Sequence, residues 1–83
     1  MKDFEMLPII VEDLSSIEKD ATIPKNVRLR IKTAIELLNG SDPNLNLRID
    51  KSIQELGDVA DDPNVPSYTK MQIWSVVSQL ESK

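Results

Sequence analysis

Apolar residues recur along this chain at helical spacing in four successive runs. Leu7, Ile10, Leu14, Ile17 and Ala21 make the first stripe, and the spacing predicts a helix from Pro8 to Asp20. Pro8 suits a first turn, where the missing N–H has no partner to lose. Residues 1–7 read as an N-terminal arm, or as a further turn kinked at Pro8. Val27, Ile31, Ala34, Ile35 and Leu38 make the second stripe, on a helix from Pro24 to Asn39. Asn39-Gly40 is a stop signal, with Gly40 suited to a left-handed cap. Asp42-Pro43 then reads as N-cap and first position of a third helix, which carries Leu45, Ile49, Ile53, Leu56 and Ala60 on one face. Asp61-Asp62-Pro63-Asn64 is turn chemistry. A fourth helix follows from Pro66 to Glu81 or Ser82, with Thr69, Ile73, Val76, Val77 and Leu80 inward. No segment alternates as a strand does. Short connections predict antiparallel neighbours.

The same pattern is written twice. Ile23-Pro24 recurs as Val65-Pro66, an offset of 66 − 24 = 42. In that register Leu14 meets Leu56, Asp20 meets Asp62, Arg28 meets Lys70, Ile31 meets Ile73 and Leu38 meets Leu80, with no gap. Periodicity alone would align the apolar positions. It accounts less readily for the shared proline, the shared aspartate and the basic pair. A unit of this length falls in the range of helical-hairpin repeats. The expectation is an all-α single domain over 1–83, with hairpins at approximately 8–39 and 44–82, packed as a HEAT-like pair or a four-helix bundle. Gly57 stands where Ser15 stands in the first unit. It marks either a close helix crossing or a plain weakening of the helix.

Composition narrows the chemistry. The 83 residues contain no Cys and no His, which removes disulfides, thiolate nucleophiles and the commonest general base and metal ligand. No Ser-His-Asp or Cys-His triad can be built from this chain, and the expectation is a protein that is not an enzyme and has no cofactor. The net charge is −4, which disfavours a globally basic nucleic-acid binder. No apolar run reaches membrane-spanning length and the start lacks a signal-peptide pattern. A cytoplasmic protein with no membrane association is expected.

Some residues fall outside the core stripes. Lys25, Arg28 and Lys32 share one flank of the second helix, with Arg30 on the other; residues 25–32 hold four positive charges and no negative one. This is either a solvated flank paired with acids on a neighbour, or a small anion- or nucleic-acid-facing patch. Trp74 and Met71 lie off the centre of the fourth stripe beside Lys70. Trp supplies large contact area with one polar N–H, so this group reads as a docking anchor, or Trp74 packs along a seam between helices. Leu29, Leu37, Leu47 and Ile9 also fall off their stripes and point, as a group, to a second apolar surface. Trp74, Met71, Leu29 and Lys70 are therefore the candidate partner-binding residues, for another protein or a second copy. Lys25, Arg28, Arg30 and Lys32 are the alternative site, for RNA or a nucleotide. Asp58, Asp61 and Asp62 cluster near a turn, but their spacing matches no cation loop, and no metal is expected.

Ile23-Pro24-Lys25-Asn26-Val27-Arg28, and Asp62-Pro63-Asn64-Val65-Pro66 followed by Thr69-Lys70-Met71-Gln72-Ile73-Trp74, resemble the archaeal uncharacterised protein family numbered 0147 over nearly the whole chain. The resemblance implies a small, cytoplasmic, all-helical protein and supplies no catalytic residue.

Overall fold

The structure is a computed structural model that describes residues 6–81, so the proposed arm falls largely outside the described residues, as does Ser82. Four helices follow one another: α1 (Leu7–Glu18), α2 (Lys25–Leu38), α3 (Leu45–Ala60) and α4 (Ser67–Glu81). Among the described residues there is no strand. Each helix packs on its neighbour in sequence, and α4 returns to α1. The diagonal pairs α1–α3 and α2–α4 do not approach, so the bundle is a four-membered ring. The seam between α2 and α3 is the closest and that between α1 and α4 the loosest.

The core is drawn mostly from the stripe residues read from the sequence, with Ile23, Val59 and Val65 added and Leu7, Ile35, Leu45 and Ile53 only partly buried at its edge. Ile10, Leu14, Ile31, Ala34, Ile49, Leu56, Ile73 and Leu80 are all fully buried. Each large aliphatic side chain among them contributes about 1.5–3 kcal/mol by leaving water. Matching buried positions recur 42 residues apart: Leu14 and Leu56, Ile17 and Val59, Ile23 and Val65, Leu38 and Leu80. Two matches exchange an aliphatic side chain for a hydroxyl. Ser52 replaces Ile10, and its Oγ donates to the Ile49 carbonyl at 2.8 Å. Thr69 replaces Val27, and its buried Oγ1 has no partner.

The two hairpin turns are the same turn. Asp20 N–H donates to the Ile17 carbonyl at 3.0 Å, and Asp62 N–H to the Val59 carbonyl at 3.1 Å. Asp20 Oδ1 accepts from Thr22 N–H at 2.9 Å, and Asp62 Oδ1 from Asn64 N–H at 2.8 Å. Ile23 and Val65 N–H return to the Asp20 and Asp62 carbonyls, and Arg28 and Lys70 N–H reach the Pro24 and Pro66 carbonyls at 3.0 Å each. The aspartate holds the chain in a side-chain turn that competes with helix. That is why α1 stops at Glu18 and Asp20 lies beyond it. Ala21 falls in this turn and is exposed, not part of the buried stripe.

The link between hairpins differs from expectation. α3 starts at Leu45, and its N-cap is Asn44, whose side chain accepts from Leu47 N–H at 3.1 Å. Asp42 sits one step earlier and accepts from Asn44 N–H at 2.9 Å, leaving Pro43 outside the helix. Gly40 has no positive φ. Instead of a left-handed glycine, Arg48 closes the end of α2: its Nη1 donates to the Leu38 carbonyl at 3.0 Å and to the Gly40 carbonyl. At Gly57, nothing lies within 4 Å of where a Cβ would be, so no close crossing exists there.

Candidate functional site

α4 buries Thr69, Ile73, Val76, Val77 and Leu80 against α1 and α3, which fixes what it turns outward. Its exposed positions from 67 to 78 are Ser67, Tyr68, Met71, Gln72, Trp74, Ser75 and Ser78, and none is charged. Each of the other three helices exposes at least two charged residues. Met71 is the most exposed large apolar residue, at 72%, with Tyr68 at 60% and Trp74 at 49%. At 100° per residue, Tyr68 and Trp74 flank Met71 on either side of the outward direction. Lys70 is half-buried one turn before Trp74. Trp74 and Met71 thus share one face with Lys70. Tyr68, which the stripes did not single out, extends it; its exposure follows from a position one residue before the buried Thr69. Leu29 is 53% exposed but sits on α2, diagonally across the ring from α4. The four candidate partner-binding residues therefore form one group of three and one separate position. Ile9 and Leu47 are exposed on α1 and α3, while Leu37 is half-buried.

The basic segment of α2 is partly committed. Arg30 Nη1 donates to Asp58 Oδ2 at 3.1 Å and lies 3.6 Å from Glu55 Oε1, clamping α2 to α3. Arg28 Nε donates to the Ile23 carbonyl at 3.1 Å and braces the first hairpin turn. Lys25 and Lys32 are exposed and make no ion pair among the described residues. Asp58 answers Arg30 and Asp62 answers Asn64.

A cleft of about 470 Å³ opens along the α1–α4 seam. Asp13, Ser16 and Asp20 line one wall, Tyr68, Gln72 and Ser75 the other, and Ile17 and Val76 form its apolar floor. Asp20 is held below its ordinary pKa, chiefly by the hydrogen bonds from the Thr22 hydroxyl (2.7 Å) and amide. Partial desolvation opposes this, and the Tyr68 hydroxyl and the Arg28 charge assist it. Sequence reasoning missed this cleft because its walls lie far apart in the chain, Asp13 and Gln72 by 72 − 13 = 59 residues.

No described helix is long and apolar enough to cross a membrane. The sequence model of the family described as "Uncharacterised protein family (UPF0147)" matches residues 1–82. A UPF0147 protein of Methanosarcina mazei is 36% identical over 78 residues, covering 94% of this chain and 84% of the relative. UPF0147 protein MJ1419 of Methanocaldococcus jannaschii is 38% identical over 79 residues, covering 93% and 83%. The crystal structure of the unknown-function protein MMP1188 superposes with a TM-score of 0.89 at 35% identity, covering 100% of this chain and 98% of that one. The four-helix ring built from two hairpins is thus shared with a solved structure, and this chain belongs to the uncharacterised family UPF0147, whose relatives here are archaeal.

Proposed function

We propose that this protein is a non-catalytic protein–protein interaction module of the cytoplasm, and that it docks through the outer face of α4. One observation carries the reading. In a chain that is 29% charged, the exposed residues of α4 from 67 to 78 are uncharged, with Lys70 half-buried beside them, and include Tyr68, Met71 and Trp74. Aromatic residues and Met are enriched in the cores of interfaces, and charged residues are depleted there. The RNA- or nucleotide-binding alternative has less support, since Arg30 and Arg28 are engaged within the fold and only Lys25 and Lys32 remain of that segment.

A photo-crosslinking amino acid at Met71 tests the reading, with the same group at Asp50 on the exposed side of α3 as control. Met71 should give discrete protein adducts in the source organism, either to a second copy or to another protein, and Asp50 should not. Equal labelling at both positions, or none at Met71, removes the basis for the proposal.

A further inference from the structure

The ring has two seams between its hairpins, and the offset of 42 relates them: α3 corresponds to α1, and α4 to α2. The α2–α3 seam is therefore the counterpart of the α1–α4 seam. In the first, Arg30 reaches across to Glu55 and Asp58. In the second, Gln72 stands in place of Arg30, Asp13 in place of Glu55 and Ser16 in place of Asp58. All three line the 470 Å³ cleft. One seam thus contains a guanidinium and is closely packed. The other keeps a carboxylate, has no cation among the described residues that line it, and is open. Asp13 makes no hydrogen bond or ion pair with a described residue. Val76 on the floor replaces the smaller Ala34 of the closed seam.

We propose that the α1–α4 cleft receives an arginine side chain from a protein partner, which takes the place that Arg30 fills in the other seam. The chemistry of the walls fits a guanidinium better than a metal ion. Among the described residues there is no cluster of three acids for a cation. The cleft instead offers the carboxylates of Asp13 and Asp20, the hydroxyls of Ser16, Ser75 and Tyr68, and an apolar floor. A guanidinium presents five N–H donors in a plane and is weakly hydrated, so it can use scattered acceptors while lying on Ile17 and Val76. That the arginine belongs to a protein rests on the docking role proposed for α4, since Tyr68 belongs both to that outer face and to the cleft wall.

The experiment uses blocked Gly-Arg-Gly as probe and the same tripeptide with citrulline, which keeps the shape without the charge. Amide chemical shifts are followed during titration to millimolar concentration. The arginine peptide should move Asp13, Ser16, Gln72 and Ser75, the citrulline peptide should not, and Asp13→Asn should weaken binding at least fivefold. A second arm supplies the cation within the chain. Gln72→Arg should raise Tm by about 2–4 °C, as one added partly exposed ion pair does in a domain of this size, and should abolish peptide binding. Shifts spread over the acidic surface, an equal response to citrulline, or undiminished binding by Gln72→Arg overturns the inference. Peptide binding with no cross-link at Met71 counts against the docking face alone; a cross-link at Met71 without peptide binding counts against the cleft alone.

Discussion

Replacing Gly57 with alanine isolates one physical term. Gly57 lies inside α3, three residues before its last residue Ala60, with a helical carbonyl that accepts the Asp61 N–H at 3.1 Å. Its φ is not positive, so an L-residue fits the backbone without strain. An added Cβ would meet no atom within 4 Å. The remaining difference is the greater backbone freedom that glycine loses on folding, about 0.5–1 kcal/mol relative to alanine in a helix. For a domain of this size the gain corresponds to a rise of roughly 2–8 °C in Tm. Urea unfolding followed by circular dichroism at 222 nm should show a higher midpoint at an unchanged slope. Gly40→Ala is the contrast. There the Cβ would lie 3.3 Å from the Leu37 carbonyl oxygen and 3.4 Å from Arg48 Cδ, so the substitution should lower stability. A neutral or destabilising Gly57→Ala would mean that something does approach that side of α3, and the reasoning would fail.

Thr69→Val removes a buried hydroxyl that has no partner and restores the side chain found at Val27. It should stabilise by about 1 kcal/mol, measured in the same unfolding assay. Arg48→Met keeps the aliphatic stem but strips the cap from the Leu38 and Gly40 carbonyls. It should cost about 1.5–3 kcal/mol, the range for hydrogen bonds from a charged donor. Because the folded pKa of Asp20 lies below its ordinary 3.8, the ionised side chain stabilises the fold above that pH, and this contribution is lost as pH falls through the folded value. Tm measured against pH should therefore show an Asp20→Asn variant less stable than the parent at neutral pH, with the gap narrowing in acid below about pH 4.

The helix number, most of the stripes and the like turns at Asp20 and Asp62 are legible in the sequence because periodicity and turn chemistry are local signals. Leu14, Ile31, Leu56 and Ile73 each announce their face within one or two turns. The boundaries were harder, since neighbouring residues compete for the same role. Asp42 and Asn44 can both cap a helix, and the choice of Asn44 depends on a hydrogen bond to Leu47. Asp20 looks like the end of a helix, but its Oδ1 accepts from the Thr22 amide and hydroxyl in a turn instead. Gly40 promised a left-handed cap, yet Arg48, eight residues on, does that work with its side chain. On the candidate site, the exposure of Trp74 and Met71 follows from their angle to the stripe. The separation of Leu29 from them does not, because only the ring order shows that α2 and α4 lie diagonally. The pairing of Arg30 with Asp58, 28 residues away, and the cleft at Asp13 and Gln72 belong to the same non-local class.

The unequal grip of the two seams sets an order in which the molecule lets go. The middle of the chain is bound by the tight packing of α2 on α3, by the Arg30 clamp and by the Arg48 cap. The outer helices meet each other only loosely. Partial opening should then begin by parting α1 from α4, and backbone amides of α2 and α3 should exchange with solvent more slowly than those at the rim. The same breathing that costs the ring its weakest join would widen the space beside Asp13, so this chain is built to loosen where it has room for something else.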